Sequence, residues 1–512
     1  MKKLPIGIQT YERLITEGYY YVDKTRFMAS LADEGVYYFL SRPRRFGKSL
    51  LVSTIKAAYE AKKELFAGTY LYEHWDWSAP NPVIHISLGS GVIRSLQELH
   101  VRFDAIVRRI AAAHEVQLEE KDFRERFIEL IFTLYKVHNR KVVVLIDEYD
   151  KPILDNIHDQ QTAIVIREEL KNYYSVLKDS DPYLEFVFIT GVSKFSKVSL
   201  FSGLNNLNDI TLDARYSAIC GYTQQELEAV FGERLQGVDM PTVRRWYNGY
   251  SWLGENVYNP FDILLYLGSG QLANYWFETA TPTFLVKLLA EKQYYIPALE
   301  NLRVSEKIIG SFDVDRLEVE TLLFQTGYLT IKTVRQMAGM RRFELGYPNQ
   351  EVKQSLTDYI LTYLTDLTVE AEENKVAVYE ALEANDLDGL GRAMQAFFAS
   401  IPHHWYTKNE IARYEGYYAS IVYCYFAALG VDVSPEEPTN KGRIDLVVRF
   451  AGRVYLIEFK VLELAEPGRA LEQIKERGYA QKYAGQETYL IGVEFSKDTK
   501  NIERFEWERE EE

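Results

Sequence analysis

Arg42-Pro43-Arg44-Arg45-Phe46-Gly47-Lys48-Ser49-Leu50 follows an apolar run, Val36-Tyr37-Tyr38-Phe39-Leu40, and precedes a stretch of helical character, Leu51-Val52-Ser53-Thr54-Ile55-Lys56-Ala57-Ala58-Tyr59. Strand, loop ending in Gly-Lys-Ser, helix is the context in which a loop cradles phosphate. The backbone N–H groups of such a loop and the start of the helix form a concave anion site. Lys48 is expected to reach the terminal phosphates and the Ser49 hydroxyl to face a magnesium ion. Arg44 and Arg45 add positive charge beside them, and the whole run Arg44, Arg45, Phe46, Gly47, Lys48, Ser49 and Leu50 is expected to hold a nucleotide. The usual pattern, G-x-x-x-x-G-K-[ST], puts a glycine where Arg42 stands here. That glycine allows a tight turn at no steric cost, and Pro43 fixes a dihedral in the same turn. The loop must therefore be shaped differently.

A second run, Lys141-Val142-Val143-Val144-Leu145-Ile146-Asp147-Glu148, is apolar up to two carboxylates. A near-continuous apolar strand belongs at the centre of a covered parallel sheet, and open α/β sheets place ligands at the C-terminal ends of their strands. Asp147 is expected to hold magnesium, directly or through water, and Glu148 to polarise the attacking water. Val83-Ile84-His85-Ile86-Ser87-Leu88 and Glu185-Phe186-Val187-Phe188-Ile189-Thr190 read as further strands, and Asn208-Asp209-Ile210-Thr211-Leu212 as another. In ATPases with an extra strand between the two nucleotide motifs, a polar residue at the next strand end senses the terminal phosphate. Thr190 is the expected sensor and Ser193 the second choice. Alternating strands and helices imply parallel βαβ units.

At 512 residues the chain is long enough for two to four domains. The two cysteines, Cys220 and Cys424, exclude a disulfide framework or a cysteine-rich zinc site and point to a reducing cytoplasm. The N-terminus, Met1-Lys2-Lys3-Leu4-Pro5, lacks the apolar core of a signal peptide, and no apolar run approaches the roughly 20 residues needed to span a bilayer. The net charge of −15 argues against indiscriminate coating of nucleic acid but leaves room for a local basic channel. The acidic end, Glu506-Trp507-Glu508-Arg509-Glu510-Glu511-Glu512, reads as solvated.

The middle of the chain is turn-rich and aromatic. Thr223, with Glu226 three residues on, reads as a capping box, and Arg244-Arg245 reads as a surface pair within a small lid. Leu322–Ile331 and Arg341–Leu345, with a helix from Glu351, suggest helix, strand, strand: a winged-helix module without a basic recognition helix.

A second chemical constellation lies near the C-terminus. Gly442-Arg443-Ile444-Asp445-Leu446-Val447-Val448 and Val454-Tyr455-Leu456-Ile457-Glu458-Phe459-Lys460-Val461 flank the turn Ala451-Gly452. Period-2 geometry puts Glu458 and Lys460 on one face, and a hairpin can bring Asp445 beside them. Two carboxylates from adjacent strands make a hard-oxygen site for magnesium or manganese, and Lys460 can orient water and stabilise charge developing on a phosphate. A helix from Asn409 to Leu429 carries Glu415 as a further carboxylate, the helix Ala470–Tyr479 places Gln473 near the metal, and Thr488–Phe495 supplies another strand. From residue 441 onward there are 13 basic and 15 acidic residues, so nucleic-acid binding there needs charge segregation or help from another subunit.

The chain resembles bacterial AAA-ATPase-like proteins with a C-terminal PD-(D/E)XK nuclease domain. The residues that carry the resemblance are Tyr21-Val22-Asp23-Lys24-Thr25, the Arg42–Ser49 loop, Leu145-Ile146-Asp147-Glu148-Tyr149-Asp150-Lys151-Pro152, Thr190-Gly191-Val192-Ser193-Lys194-Phe195-Ser196, Leu204-Asn205-Asn206-Leu207, Gly442–Asp445, Glu458-Phe459-Lys460 and Ala470-Leu471-Glu472-Gln473-Ile474. In that family the loop departs from the standard pattern in the same way. The expected fold is α/β multidomain: an AAA-like P-loop core at 1–235 with a parallel sheet covered on both faces, a helical lid at 236–300, a winged-helix-like or helical spacer at 301–400, and a PD-(D/E)XK nuclease-like domain at 401–512. The resemblance implies ATP and Mg2+ as cofactors, with Mn2+ also accepted at the nuclease site. It implies catalytic roles for Glu148, Asp445, Glu458 and Lys460, and metal ligation by Ser49, Asp147, Glu415, Asp445 and Glu458. It further implies nucleic acid as partner, DNA ahead of RNA, no membrane, and a homo-oligomer in which a neighbour lends an arginine. The expected activity is a metal-dependent nuclease coupled to an ATP switch, in defence or mobile-element biology. The alternatives are an ATP-dependent scaffold with a catalytically silent nuclease-like domain, and a small-molecule kinase, which leaves residues 401–512 unexplained.

Overall fold

The computed structural model describes residues 1–194, 204, 206–277, 283–310, 317–365, 369–401, 415–439, 441–462 and 468–510, the side chains of 283, 369–372 and 415 excepted. The chain forms two compact units, one of Met1–Ala280 with Arg303–Glu344, the other of Thr281–Leu302 with Leu345–Glu512. The finer division at 235, 300 and 400 expected from the sequence stands as a proposal, and its segments 236–300 and 301–400 each draw residues from both units.

The first unit is built on a five-stranded sheet: β1 (Tyr37–Ser41), β2 (Val83–Ser87), β3 (Val142–Asp147), β4 (Leu184–Gly191) and β5 (Asn208–Asp209). All neighbours run parallel, in the order β2-β3-β4-β1-β5. Every residue of β1 and β3 is buried, which is why their sequences are apolar without alternation. The intervening helices Leu96–Ala113, Phe123–His138 and Gln160–Asp179 start at Ser95, Asp122 and Asp159, whose side chains accept N–H groups of the first turn. Register places Ser41 opposite Gly191 and Asp147 opposite Thr190, so the C-terminal ends of β1, β3 and β4 are adjacent. The run expected to extend from Asn208 to Leu212 is a strand only at Asn208–Asp209, because Thr211 instead turns its hydroxyl to the Ser41 N–H.

Beyond the sheet, Thr223 and Glu226 form the expected capping box of the helix Gln224–Phe231. That helix and the helix Pro260–Ser269 share an apolar cluster with Tyr20 and Val22 of the N-terminal arm. Strands β6 (Asn248–Tyr250) and β7 (Val257–Tyr258) form a small antiparallel pair. β8 (Leu302–Ser305), β9 (Thr330–Met337) and β10 (Met340–Gly346) make a three-stranded sheet in the order β8-β10-β9. The helix Val319–Thr326 precedes the β9–β10 hairpin and the helix Gln350–Thr365 follows it, the expected helix, strand, strand, helix sequence.

The second unit holds a five-stranded mixed sheet of β11 (Asp432–Thr439), β12 (Gly442–Phe450), β13 (Arg453–Val461), β14 (Glu487–Ser496) and β15 (Asn501–Arg509), in chain order. β13 and β14 are parallel and the other neighbours antiparallel. Ala451 (φ 49°) and Gly452 (φ 80°) close the β12–β13 hairpin, the left-handed pair that a two-residue turn requires. The described part of the helix expected from Asn409 is Glu415–Ala428, and Tyr418 stacks on Phe495 of β14 at 4.6 Å. The helix Arg469–Arg477 lies against β14, where a Cβ on Gly492 would sit 2.5 Å from the Leu471 nitrogen. The acidic end is not simply solvated: Glu506 to Arg509 belong to β15, an edge strand whose exposed charges guard it against pairing with another chain.

Candidate active sites

The loop between β1 and the helix Lys48–Tyr59 borders a cleft of about 410 Å³. Arg45 (φ 68°) and Gly47 (φ 91°) take left-handed backbone to shape it. No side chain caps the helix, so the amide groups at its start are left for a ligand. The Lys48 ammonium is buried and donates to the Arg42 and Pro43 carbonyls, both at 2.9 Å. Arg44 and Arg45 are exposed at the cleft rim, and Arg45 lies over the Phe261 ring at 4.6 Å. Phe46 turns inward, edge-on to Tyr250 and Trp252.

Arg42, in the position of the usual glycine, is fully buried. Its guanidinium donates to the carbonyls of Ser41 and Thr211 at 2.9 Å and of Tyr216 at 3.2 Å, and stands 4.2 Å from the Trp252 ring. Burial pulls its pKa down to about 10. The arginine thus ties the loop to the segment beyond β5 instead of offering a turn.

Asp147 ends β3, buried, with Oδ1 lacking a hydrogen-bond partner among the described residues. It sits close enough to Lys48 for its charge to oppose the lowering of the lysine pKa by burial. An unpartnered carboxylate oxygen facing the charge of Lys48 is of a kind that would suit a magnesium ion, for which Ser49 would be the second protein oxygen. Glu148 (φ 54°) faces the cleft, and burial followed by the Asp147 charge raises its carboxyl pKa. Asp150, also buried, accepts the Val192 and Ser193 N–H groups and fixes the turn after β4.

In the second unit, Asp445 and Glu458 lie on neighbouring strands one pair beyond the Leu446–Ile457 register. Asp445 Oδ2 accepts the Phe459 N–H at 2.9 Å. Lys460 Nζ donates to Glu458 Oε1 at 3.3 Å, and Gln473 donates to the same oxygen. Glu458 is 1% exposed, and its Oε2 has no partner among the described residues. Burial first, then the Asp445 charge, pushes its pKa up to about 7 against the pull of Lys460. Among the described residues no group of three or more His, Cys, Asp or Glu converges. Two carboxylates still fit magnesium or manganese, which keep several waters and add substrate oxygens.

Residues 5–201 match a family described as predicted AAA-ATPase, and residues 413–505 match the PD-(D/E)XK nuclease superfamily. A protein of Azotobacter chroococcum mcd 1, described as an uncharacterized protein in the vnfD 5' region, is 50% identical over 508 residues, 98% of this chain and 98% of its own. The chain belongs to the predicted AAA-ATPase family that carries a C-terminal PD-(D/E)XK nuclease domain.

In this AAA-ATPase-like protein the expected loop residues and Glu148 line one cleft, Asp147 acts on Lys48 through its charge, and Asp445, Glu458, Lys460 and Gln473 form one cluster. Thr190 departs from expectation. It is fully buried and its hydroxyl donates to the Leu40 carbonyl at 2.8 Å, across the β1–β4 seam. Ser193, the second choice, is buried with an unpartnered hydroxyl among the described residues, while its N–H is held by Asp150. Phe195, Ser196 and Asn205 of the quoted motifs, and the Glu415 side chain, lie outside the described residues. Arg244 and Arg245 are exposed on the helix Met240–Tyr247, as a surface pair should be.

Sequence reading missed further residues that line the loop cleft, Gly7, Ile8, Tyr20, Val22, Phe261 and Leu264. It also missed Lys24, whose ammonium meets the Ala218 carbonyl and both oxygens of Glu226 beside the cleft. The motif Tyr21-Val22-Asp23-Lys24-Thr25 was the available signal. In the nuclease-like domain it missed Glu494, which accepts the Gly468 and Ala470 N–H groups and so seats the helix carrying Gln473. Nothing in its spacing marks it.

The raised Glu458 pKa has a signed consequence. A divalent cation bound here would have to displace its proton, so its affinity is expected to rise with pH up to about 7 and level off above it, changing about tenfold per unit below. Calorimetric titration of Mn2+ into the full chain without nucleic acid measures this, and Glu458→Gln should flatten the profile. In the metal-free chain the shift runs the other way for stability: the folded state favours the protonated acid, so this contribution is lost as pH rises through about 7.

Proposed function

We propose that this protein binds and hydrolyses ATP in the loop cleft and cleaves nucleic acid, DNA ahead of RNA, at the Asp445–Glu458–Lys460 centre, with nucleotide state controlling cleavage. The observation that carries the reading is Glu458: a buried carboxylate with one oxygen unpartnered, set against Asp445, Lys460 and Gln473. Holding that carboxylate ionised without a ligand is costly, as its raised pKa records, and a bound cation would offset the cost.

A divalent cation on Asp445 and Glu458 would polarise the phosphodiester and acidify a bound water. Lys460 steadies the Glu458 carboxylate and supplies positive charge where the phosphate gains negative charge. Gln473 fixes the Glu458 rotamer. In the nucleotide cleft Lys48 exchanges the carbonyls of Arg42 and Pro43 for phosphate oxygens, and Glu148, its basicity raised by burial, takes a proton from the attacking water. Glu148→Gln should therefore keep nucleotide affinity within a fewfold and lose about 10²-fold or more in hydrolysis, read by fluorescent-nucleotide binding beside phosphate release.

Two unpaired, buried cysteines support a cytoplasmic setting. Among the described residues no helix is long and apolar enough to cross a membrane. A homo-oligomer and a role in defence or mobile-element biology belong to this proposal on resemblance alone.

The near balance of basic and acidic residues from 441 onward favours a second reading, an ATP-dependent scaffold whose nuclease-like domain binds without cutting. The deciding experiment incubates DNA and RNA substrates with Mg2+ or Mn2+, with and without ATP, on the wild type beside Lys460→Ala. Cleavage lost in the variant supports the nuclease. Nucleic-acid binding with no cleavage under either metal supports the scaffold.

A further inference from the structure

The β9–β10 hairpin is absorbed by neither site. Its strands meet at Ala338 (φ 47°) and Gly339 (φ 82°), a tight turn with both residues left-handed. Residues 332–340 are exposed without a break, and Arg342 is exposed beyond them. Lys332, Arg335, Arg341 and Arg342 lie on the hairpin, and no Asp or Glu occurs between positions 330 and 343, in a chain of net charge −15. Val334, Met337 and Met340 are 41%, 53% and 65% exposed. The root is firm: Ile331 and Phe343 are buried, and Arg341 is paired with Glu306.

Charge on an edge strand ordinarily serves to block pairing with other chains. That accounts for Lys332 and Arg335, since β9 is an edge strand. It does not account for Arg342, which lies on the central strand β10, nor for three bare apolar side chains, which invite the association that edge charges prevent. The helix Val319–Thr326 in front of the hairpin is buried at six of eight positions and bears Glu320, so it offers no basic face of its own.

We infer that the β9–β10 hairpin is a nucleic-acid-binding wing, in which Arg335 and Arg342 take backbone phosphates of a duplex while Met337 and Met340 pack against the groove wall. A two-stranded ribbon has the width of a major groove, where apolar side chains can meet thymine methyl groups, and phosphate contacts from arginine supply sequence-independent affinity. Its exposed part, residues 332–342, carries four basic residues and no carboxylate, the one acid of the two strands being Glu344 beside Arg303 at the root, and that charge selects a polyanion. The nuclease-superfamily domain in the same chain selects nucleic acid over an anionic lipid surface, so the inference rests on the nucleic-acid reading above.

The test uses the full chain carrying Lys460→Ala to prevent cleavage, and a fluorescein-labelled DNA duplex read by anisotropy over a range of salt. Arg335→Gln with Arg342→Gln should weaken binding about tenfold or more near physiological salt and reduce the slope of log K against log salt by about 1.8. Met337→Ser with Met340→Ser should weaken binding with the slope unchanged. Nucleotide hydrolysis is the folding control and should stay at its parent level in both. Parent binding with both variants equal to it overturns the wing and leaves the nuclease reading intact. No parent binding to DNA, or to an RNA duplex run alongside, overturns both. Loss confined to anionic phosphatidylserine vesicles, with DNA binding retained, assigns the hairpin to a membrane surface and overturns the wing.

Discussion

Lys460→Ala, and separately Glu458→Gln, is expected to reduce nucleic-acid cleavage by about 10³-fold while leaving nucleotide hydrolysis at the wild-type rate. Glu458→Gln is the sharper of the two. It preserves volume and a carbonyl oxygen for Lys460 and Gln473, so it removes charge without opening a cavity. It should also make the metal-free chain more stable above about pH 7, because it removes the cost of ionising a carboxylate that is 1% exposed. Loss of cleavage together with a gain in thermal midpoint is the pattern expected of a group kept for chemistry at the expense of stability. Lys460→Ala leaves Glu458 without its cation, so its apparent pKa should rise and metal affinity at neutral pH should fall. Single-turnover cleavage, differential scanning fluorimetry with EDTA and Mn2+ calorimetry read the three effects. Full cleavage by both variants would remove this centre from the reaction.

Arg42→Gly, which restores the residue of the common phosphate-loop pattern, is expected to destabilise the protein by about 3–5 kcal/mol and not to improve nucleotide binding. The guanidinium supplies donors to three buried carbonyls at Ser41, Thr211 and Tyr216, and its removal orphans them beside an emptied space under Trp252. The Arg42 carbonyl also holds Lys48, so freedom at this position loosens the lysine that the phosphates need. Arg42→Lys should recover only part of the loss, since one ammonium cannot present a planar fork of donors to acceptors spread over three carbonyls. Urea denaturation with nucleotide affinity measured in parallel checks both. An unchanged midpoint for Arg42→Gly would show that the arginine is a tolerated substitution and not the loop's anchor.

How much was readable in advance follows the range of each interaction. The Gly-Lys-Ser loop, the buried runs at Val142–Asp147 and Leu184–Gly191, the capping box at Thr223 and the Asp445/Glu458/Lys460 hairpin all rest on neighbours within a few residues or on strand periodicity, and each appears where the sequence puts it. Thr190 was misjudged because a hydroxyl at a strand end has two possible customers, ligand and neighbouring strand, and only the parallel β1–β4 pairing shows that Leu40 takes it. Glu494 and Lys24 were invisible as working residues: each meets its partners across 24 to 202 positions of chain. β15 was obscured because an exposed edge strand carries the charges of a tail.

By itself the sequence determined the chemistry on offer: a phosphate loop, a carboxylate pair at a strand end and a D…E-x-K hairpin, since local backbone geometry and side-chain alternation are dictated by adjacent residues. The tertiary structure alone decided which of these groups are buried, unpartnered and charged against one another. It turned Arg42 from a missing glycine into an anchor, gave Glu458 its elevated pKa, withdrew Thr190 into the sheet and left the β9–β10 hairpin bare. Burial and Coulomb interactions depend on distances between residues far apart in the chain, and those distances exist only once the chain has folded.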